Sequence, residues 1–536
     1  MREGGLSPRA LVARIIVIVI FAILGLRLGY IQLVDDRYDE LSDRNYLRNV
    51  VLYPPRGEIY DRNGELLAQN RLCYDVSIVR KDMPKSGFDT TRVSQLVGMS
   101  REALVKKIKQ SPYRRESRLT RYPITVEQKL LLDEMNIGGF YTSQRTVRQY
   151  PRKIGGNLLG SINEVTKAKI EKDDSYALGD YIGMEGLELA YEDVLRGEKG
   201  VVLQDIYAPQ AERNTILKEP VAGRSIVCTI DAELQQLAEE LMQDKVGAVV
   251  AIEPSTGEIL TMVSSPTFNP DELVIGKERG NNYAKEINIP RMPLWNRAVK
   301  SRYPPGSTFK TAQGLTFLHE GIVNENTTLY PCSGGFNYRN LRVGCHAHSS
   351  PVSLIPAIAT SCNSYFCWGL FRMIGDDKYN SVQNALTVWK DHMVSQGFGY
   401  RLGVDLPGEQ RGFIPNAQFY DRAYRGSWNG LTIISISIGQ GEITATPLQI
   451  ANLAATIANR GHFTTPHVVK EIEDNELDSL YRFPRQTSID SHYYDHIVEG
   501  MRAAVTGSSA GATCRLVETI LPGVEACGKT GTAQNR

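Results

Sequence analysis

The longest apolar run of the sequence lies near its N-terminus. From about Ala10 to Ile31 the only charged side chains are those of Arg14 and Arg27. Roughly 20 apolar residues in a helix cross a bilayer, and the long stem of Arg27 lets its charge reach the interface from the outer end of the run. The pattern therefore predicts a single transmembrane helix rather than a buried helix of a soluble domain.

Charges on the two sides of this run predict its orientation. Arg2, Arg9 and Arg14 lie before or at its start, whereas Asp35 and Asp36 follow it. Because positive residues are retained on the cytoplasmic side of a membrane, we expect a cytoplasmic N-terminus and a remainder that faces the periplasm or cell exterior. No small-x-small cleavage pattern follows the run, which favours a permanent anchor over a signal peptide.

Short polar and apolar segments after the anchor predict a hairpin. The turn dipeptide Asn63-Gly64 separates residues 58–60 from residues 66–68, and both flanking segments have strand character. Three charged residues border this turn, and we expect them to pair with one another: Arg56, Asp61 and Arg62.

Helical spacing dominates the region that follows. Residues from about 85 to 150 alternate helical stretches with short extended pieces, which predicts an inserted small α+β lobe. A further amphipathic helix is predicted to end at Gly197. Its apolar positions are Leu187, Tyr191, Val194 and Leu195. A strand at residues 225–230 then gives way to a helix after Asp231, where we place a domain boundary.

The last part of the chain has strands at both ends and helices between them. A hairpin is predicted from residues 247–253 and 258–263, and a late polar strand from residues 525–532. This order is typical of an α+β domain in which an antiparallel sheet is faced by helices. The predicted domains are an anchor (1–33), a mixed α/β domain (34–231, with the small lobe at about 85–150) and a C-terminal domain (232–536).

Composition narrows the functional classes only slightly. With 536 residues the chain is too long for one core. A formal net charge of +1 gives no reason to expect a nucleic acid or another polyanion as partner. The eight cysteines are too few for a disulfide scaffold, so packing must hold the domains together.

The strongest chemical signal is Ser307 with Lys310. Two prolines and Gly306 precede Ser307, and an apolar helix-compatible run follows, so Ser307 is predicted at a helix start. Residues three apart share a helix face, which allows the Ser307 hydroxyl and the Lys310 amine to meet. The free amides and dipole at a helix start favour negative charge beside Ser307. For an isolated S-x-x-K pattern, the alternative interpretation is that Ser307 is only a helix N-cap and Lys310 only a solvated surface lysine.

Two further motifs decide between these interpretations. Ser361-Cys362-Asn363 forms an S-x-N pattern, and residues 529–532 read Lys-Thr-Gly-Thr. S-x-x-K, S-D-N and K-T-G are the motif set of penicillin-binding proteins and class A β-lactamases, and this chain has the three motifs in that order with Cys362 at the middle position of the second. Acyl transfer needs a nucleophile, a neutral base and donors for an oxyanion. Ser307 would be the nucleophile and Lys310 the base, with a pKa lowered by burial and neighbouring cations.

The remaining motif residues have predicted roles around that pair. Ser361 relays a proton to the leaving amine, and Asn363 holds Lys310 and the substrate amide. The substrate carboxylate is predicted to bind to Lys529, Thr530 and Thr532. Gly531 allows close approach of the substrate backbone, and the backbone at Thr532 forms an oxyanion hole with the Ser307 amide. No cofactor and no metal is predicted in this site.

With these motifs the chain resembles the class B penicillin-binding proteins, in particular the elongation type. The resemblance covers nearly the whole chain. It includes residues 56–64, Gly186-Leu187-Glu188, residues 296–307, Gly439-Gln440-Gly441 and residues 445–449. It implies a non-catalytic pedestal at residues 34–231 and a penicillin-binding, β-lactamase-like transpeptidase domain. It also implies further strands and a helix after Thr532, so the sequence ending at Arg536 predicts a truncated chain.

The family also implies a function and partners. Class B members are single-pass proteins of the inner (cytoplasmic) membrane that cross-link peptidoglycan stem peptides ending in D-Ala-D-Ala, and β-lactams inhibit them covalently. The implied partner is a SEDS-family, RodA-like glycosyltransferase of the elongation machinery, contacted through the membrane helix and pedestal. A β-lactamase is disfavoured by the anchor and by the lack of an identifiable water-activating glutamate. A D,D-carboxypeptidase and a penicillin sensor or scaffold protein remain alternatives.

Four cysteines in two sequence pairs raise a separate question. In an oxidising compartment, Cys332 is expected to pair with Cys345, and Cys514 is able to pair with Cys527 in the same way. Zinc bound by Cys345, His346 or His348 is the alternative for the first pair. Cys362 and Cys367 are expected to be small buried hydrophobic residues.

Overall fold

The structure of the protein is a computed structural model. It describes residues 8–33, 47–205 and 214–533. Its α-helices are Pro8–Leu33, Thr90–Leu96, Arg101–Gln110, Val126–Glu134, Gly156–Leu159, Lys167–Ile170, Gly186–Ala190, Glu192–Leu195, Ala232–Leu241, Arg279–Ile287, Arg297–Lys300, Lys310–His319, Leu354–Ala359, Asn363–Ile374, Val382–Ser395, Ala417–Tyr424, Pro447–Ala458, Tyr494–Thr506 and Arg515–Ile520. Its strands are Leu47–Leu52, Ile59–Tyr60, Leu66–Ile78, Ser117–Arg118, Phe140–Gln149, Ile162–Glu164, Tyr181–Gly183, Gly200–Asp205, Asn214–Lys218, Ile226–Cys228, Gly247–Ile252, Ile259–Ser265, Gly335–Tyr338, Leu341–Gly344, His462–Phe463, Val469–Ile472 and Arg485–Gln486.

The first helix has the length and composition of a membrane span. Within Pro8–Leu33, the 19 residues Val12–Tyr30 have a mean hydropathy of 2.4 and are not buried against the rest of the protein. An apolar helix that packs on no protein surface needs an apolar solvent. The flanking residues Arg2, Asp35 and Asp36, on which the predicted orientation rests, lie outside the described residues.

The chain divides into two compact units. One consists of residues 1–55 and 197–223, and the other of residues 56–196 and 224–536. The described part of the first unit contains a three-stranded antiparallel sheet in the order Leu47–Leu52, Gly200–Asp205, Asn214–Lys218. The predicted domain boundary at Asp231 remains a prediction.

The larger unit begins with the predicted hairpin, which is confirmed. Ile59 pairs with Ala68 and Tyr60 with Leu66, and Gly64 adopts a φ of +86° at the turn. Leu66–Ile78 continues as a long strand that pairs along its length with Phe140–Gln149. Residues between these two strands form the helices of the small lobe, whose own core includes Val93, Leu104 and Leu132.

The expected pairing among Arg56, Asp61 and Arg62 is wrong. Arg62 pairs with Glu258 at 3.1 Å. The buried Asp61 carboxylate instead accepts hydrogen bonds from the backbone amides of Asn63 and Glu65. The short side chain of an aspartate in a tight turn reaches the backbone amides of that turn, and it hydrogen-bonds to them rather than to a neighbouring side chain.

Arg56 belongs to a buried ion-pair network centred on Glu188. The Glu188 carboxylate lies 2.6 Å from the Nε atoms of both Arg56 and Arg148, and Arg56 Nη2 lies 2.5 Å from Glu192. Burial would raise the pKa of Glu188, but the charges of Arg148 and Arg56 outweigh it and hold this pKa below its usual value. Since Glu188 and Arg148 are buried, each charge depends on the other for compensation.

Glu188→Gln is therefore expected to destabilise the larger unit by about 3–5 kcal/mol, because it leaves the buried Arg148 charge without its partner. Urea unfolding in detergent measures this loss. Glu134→Gln is the matched control, since Glu134 is exposed and its contact with Arg92 is 3.9 Å long; it should cost at most about 1 kcal/mol. Equal stability of the two variants would contradict a structural role for the network.

The main core surrounds the helix Lys310–His319. Residues from Lys310 to Leu318 are all buried, which is the pattern of a helix enclosed on every side. Leu354–Ala359, Asn363–Ile374 and Tyr494–Thr506 supply much of the surrounding apolar surface. The start of this central helix is therefore fixed by packing on several sides, and Ser307 lies at that start.

The predicted hairpin of the C-terminal domain is confirmed, whereas the predicted late strand is wrong. Gly247–Ile252 pairs antiparallel with Ile259–Ser265. Residues 524–533 have no regular secondary structure and pair with no strand in the described part of the chain. A β-strand needs a hydrogen-bonded neighbour, and polar residues with strand-like spacing do not provide one.

Candidate active site

Ser307 lies in a 3₁₀ turn, Gly306–Phe309, that leads directly into the helix Lys310–His319. Gly306 has a φ of +58°, and a Cβ atom there would lie 2.6 Å from the Thr532 carbonyl oxygen. The Gly306 amide donates to the Gly439 carbonyl at 2.9 Å. Only glycine satisfies both the positive φ and this close backbone approach. The sequence predicted Ser307 at a helix start, and the structure places it there, partly exposed.

Lys310 is buried beneath the turn, and its ammonium group reaches the S-x-N motif. Lys310 Nζ donates to the Ser361 carbonyl at 2.7 Å and to the Asn363 side-chain oxygen at 2.5 Å, and it lies 3.2 Å from Ser361 Oγ. Burial lowers the pKa of Lys310 to about 8. A lysine in this range has a sizeable neutral fraction near physiological pH, as a general base requires.

Ser361 lies between two lysines. Its Oγ accepts from Lys310 Nζ and, at 3.0 Å, from Lys529 Nζ. Ser361 adopts a φ of +56°, which is unusual for a residue other than glycine. Asn363 follows as the first residue of the helix Asn363–Ile374. A strained backbone conformation therefore holds a hydroxyl group between two cations.

Lys529 comes from the segment near the end of the chain. Burial and the neighbouring Lys310 charge lower the pKa of Lys529 to about 7. A Cβ atom on Gly531 would lie 2.9 Å from the Thr308 side chain and 3.3 Å from the Pro305 carbonyl oxygen. Thr530, Gly531 and Thr532 thus lie against the turn that contains Ser307, although the segment forms no strand.

All eight motif residues are thereby brought together. Ser307 lies in the 3₁₀ turn and Lys310 at the start of the following helix, Ser361 lies in the turn before Asn363–Ile374, and Lys529, Thr530, Gly531 and Thr532 lie on the C-terminal segment beside them.

Sequence reasoning missed the hairpin that holds Asn363. This hairpin consists of Gly335–Tyr338 and Leu341–Gly344. The Asn363 side-chain amide donates to the Gly344 carbonyl at 2.6 Å, and the Asn363 backbone amide donates to Cys345 Sγ at 3.2 Å. Cys332 and Cys345 indicated local structure in this region. Their spacing along the sequence, however, does not predict that Cys345 lies beside Asn363.

The expected Cys332–Cys345 disulfide is wrong, because both cysteines are free thiols. They instead form a cluster with His348 and Cys362, in which one ligand atom from each residue lies within 4.8 Å of the others. Three sulfurs and an imidazole form a ligand set that suits tetrahedral zinc. Hydrogen bonding from Cys362 lowers the pKa of the Cys345 thiol. The donor set therefore fits a structural zinc ion.

We expect the purified protein to bind one zinc ion at this cluster, and Cys345→Ser to lower its occupancy at least tenfold, because a thiolate ligand is lost. Elemental analysis after dialysis against a weak chelator measures the occupancy. Cys73→Ser is the control, since Cys73 is buried elsewhere. Zinc-free wild-type protein would contradict the expectation.

The second possible disulfide is also absent. Cys514 and Cys527 are both free. A Cβ atom on Gly528 would lie 3.2 Å from Cys514 Sγ, whereas Cys527 is exposed. The Gly528 amide donates to the Met501 carbonyl at 3.0 Å, so the backbone at Gly528, rather than the Cys527 side chain, lies beside Cys514.

Comparison with known proteins agrees with this site. Residues 247–536 match the family model of the penicillin-binding protein transpeptidase domain, and residues 51–228 match that of the penicillin-binding protein dimerisation domain. The chain is 32% identical to the peptidoglycan D,D-transpeptidase MrdA of Acinetobacter baumannii, over 97% of this chain and 77% of the relative. It is 28% identical to MrdA of Escherichia coli K12, over 92% of this chain and 79% of the relative.

Solved structures show the same architecture. A peptidoglycan synthase complex, described as coordinating polymerization and crosslinking, contains a chain with a TM-score of 0.70 and 28% identity, over 99% of this chain and 89% of that chain. Pseudomonas aeruginosa PBP2 in complex with WCK 5153 has a TM-score of 0.63 and 26% identity, over 90% of this chain and 86% of that chain. Helicobacter pylori PBP2 in complex with MreC shares the fold, with a TM-score of 0.72 and 24% identity, over 91% of this chain and 90% of that chain.

The predicted fold class is thereby confirmed: an N-terminal apolar helix, a mixed α/β region and a C-terminal transpeptidase domain. The chain belongs to the penicillin-binding protein transpeptidase family, and within it to the class B proteins of the elongation type, penicillin-binding protein 2.

Proposed function

We propose that this protein is a serine-type peptidoglycan D,D-transpeptidase that acts in cell-wall synthesis through an acyl-enzyme on Ser307. One observation carries the proposal: the Ser361 hydroxyl lies between the buried amines of Lys310 and Lys529, beside the turn that presents Ser307. This arrangement provides a nucleophile, a base and a proton relay in one place. The relatives named peptidoglycan D,D-transpeptidase support the same activity.

In acylation, Ser307 Oγ attacks the carbonyl carbon of the penultimate D-alanine of a stem peptide, and its proton passes to neutral Lys310 Nζ. The negative oxygen of the tetrahedral intermediate accepts hydrogen bonds from the Ser307 amide and the backbone at Thr532. As the peptide C–N bond breaks, the leaving amine of the terminal D-alanine takes a proton through Ser361 Oγ. An acceptor amine of a second stem peptide then attacks the ester, and the proton transfers run in reverse.

Lys529 supports this cycle by binding the carboxylate of the donor peptide, together with Thr530 and Thr532. The two lysines on either side of Ser361 repel each other, so loss of one proton from the pair is favoured. A bound carboxylate stabilises the charge on Lys529 and leaves Lys310 neutral. Asn363 is held by hydrogen bonds to the Gly344 carbonyl and Cys345 Sγ, and it positions Lys310 and the substrate amide.

Acylation by a fluorescent penicillin is expected to rise about tenfold between pH 6 and pH 8, because the lysine pair must lose a proton near pH 7 before Lys310 can act as a base. Stopped-flow labelling rates measure the profile, and circular dichroism at both pH values controls for unfolding. A flat profile, or a rate that falls as pH rises, would contradict a neutral-lysine base.

A D,D-carboxypeptidase would use the same residues and transfer the acyl group to water. Lipid-linked, uncross-linked glycan supplied with a polymerising glycosyltransferase separates the two activities. Cross-linked muropeptides are expected as the main product, with free D-alanine from each acylation. Free D-alanine without cross-links would show a carboxypeptidase, and penicillin binding with neither product would favour a sensor or scaffold protein.

The protein's setting is also proposed. The apolar helix Val12–Tyr30 and the MrdA relatives support a membrane-anchored protein. We place it in the inner membrane, with a cytoplasmic N-terminus and a periplasmic transpeptidase domain after a pedestal at residues 34–231. Structural relatives seen with MreC and in a peptidoglycan synthase complex support partners in the elongation machinery. We propose that the specific partner is a RodA-like SEDS glycosyltransferase, which contacts the membrane helix and the pedestal.

A further inference from the structure

We propose that His319, Glu320 and His392 form a zinc-binding site at the far end of the helix that begins at Lys310. His319 is the last residue of this helix and Glu320 its C-cap, whereas His392 comes from Val382–Ser395. One ligand atom from each of the three residues lies within 4.8 Å of the other two. The site shares no residue with the cysteine cluster or with the site at Ser307, and it goes beyond the proposed function.

The distances suit a cation with short bonds. Zinc binds imidazole nitrogen and carboxylate oxygen at about 2.0–2.2 Å, so neighbouring ligand atoms in a tetrahedral site lie about 3.3 Å apart. His392 Nε2 and Glu320 Oε1 are 2.8 Å apart, and the His319 and His392 rings meet edge to face with centroids 5.0 Å apart. The His392–Glu320 pair would need to open by about half an ångström to reach this spacing, and the His319 ligand atom lies within 4.8 Å of both.

Both main ligands already have the supporting contacts that a metal site needs. His392 Nδ1 lies 2.7 Å from Ser488 Oγ, which leaves Nε2 as the nitrogen directed at Glu320. The second oxygen of Glu320 accepts from the Tyr379 hydroxyl at 2.7 Å. Hydrogen bonds of this kind orient the imidazole and carboxylate ligands of zinc sites, and a bond donated by His392 Nδ1 increases the basicity of its Nε2.

Exposure and charge also fit a bound cation. The His392, Glu320 and His319 side chains are 9%, 17% and 25% exposed, so an ion can enter from one side. Asp490 contacts His319 Nδ1 through its backbone amide at 3.4 Å and its Oδ2 at 3.7 Å, which leaves His319 Nε2 as the nitrogen available to a cation. The two oxygens of Glu320 lie 2.8 Å from His392 Nε2, 2.7 Å from the Tyr379 hydroxyl and 3.2 Å from Lys378 Nζ.

Lys378 competes with a metal ion at this position. Its Nζ lies 3.2 Å from the second Glu320 oxygen, and its side chain is 40% exposed. This ammonium group, which also donates to the Glu320 backbone carbonyl, stabilises the metal-free carboxylate and repels an incoming cation. Removing it should therefore tighten metal binding, whereas removing a true ligand should weaken it. A purely hydrogen-bonded network predicts no effect of either change on zinc affinity.

Zinc binding to the full chain in detergent, measured by equilibrium dialysis and elemental analysis after chelator treatment, tests the proposal. Wild type should bind one zinc ion more than His392→Gln, and zinc should raise the melting temperature of wild type more than that of the variant. His492→Gln is the matched control: His492 is exposed, close in sequence to Asp490 and outside the cluster. It should bind as much zinc as wild type.

Two further variants distinguish loss of this zinc site from misfolding and from loss of zinc at the cysteine cluster. His319→Gln alters a partly exposed ligand and should lose the same single zinc equivalent, while zinc at the cysteine cluster remains in both histidine variants. Lys378→Ala should bind this zinc at least threefold more tightly. Equal zinc content of wild type and both histidine variants, or unchanged affinity in Lys378→Ala, would overturn the proposal and leave a hydrogen-bonded network.

Discussion

Ser307→Ala is expected to abolish covalent labelling by fluorescent penicillin, with the acylation rate reduced by a factor on the order of 10³ or more. The variant keeps the Gly306–Phe309 turn and the buried Lys310, but it removes the only oxygen that we propose to form the ester. Neighbouring hydroxyl groups cannot substitute. Thr308 Oγ1 donates to the Pro305 carbonyl at 2.7 Å, and Ser361 Oγ is held between two lysines.

Gel fluorescence and intact-protein mass spectrometry measure this loss. Ser255→Ala is the control, because Ser255 is exposed in a turn and contacts Glu253; it should label like wild type. Labelling of Ser307→Ala at the wild-type rate, with the adduct mapped to another residue, would refute the acyl-enzyme assignment. The Ser307→Ala protein should still melt near the wild-type temperature, since the partly exposed Ser307 side chain contributes little to the hydrophobic core.

Lys310→Arg should reduce acylation by roughly 10² to 10⁴-fold, although the positive charge is kept. A guanidinium group stays protonated at any pH the protein survives, so it cannot accept the Ser307 proton. Its planar shape also fits poorly where Lys310 Nζ meets the Ser361 carbonyl and the Asn363 side chain. The variant should lose the rise in rate between pH 6 and pH 8.

Lys300→Arg is the matched control, because Lys300 lies near the motif in sequence but outside the contacts of Lys310. Rates from stopped-flow labelling, together with the pH profile, separate a base from a structural cation. If Lys310→Arg kept the wild-type rate and pH dependence, Lys310 would serve only as a charge that holds Asn363. Loss of rate with an unchanged profile would place the base elsewhere.

Local signals in the sequence were sufficient for several elements. The transmembrane helix follows from a long apolar run with two charged residues, and the hairpin at Asn63-Gly64 follows from turn chemistry. Ser307 lies at a helix start because two prolines and Gly306 end the preceding segment there. These features depend on neighbours that are close in sequence, which a linear pattern records.

Other expectations failed because the deciding contacts are distant in sequence. Arg56 pairs with Glu188 and Glu192 rather than with the nearby Asp61. Residues 524–533 have the composition of a strand but no neighbouring strand in the part of the chain that the structure describes. Cys332 and Cys345 approach each other as part of a four-residue cluster rather than as a disulfide.

By itself, the sequence determined the anchor, the order of the three motifs, and the position of Ser307 and Lys310 one turn apart. Only the tertiary structure decided that Lys529 reaches the Ser361 hydroxyl, that Gly344 and Cys345 hold Asn363, and that burial lowers the pKa of both lysines. The physical reason is that a side chain's identity is local, whereas its burial, charge state and partners depend on segments that folding brings together.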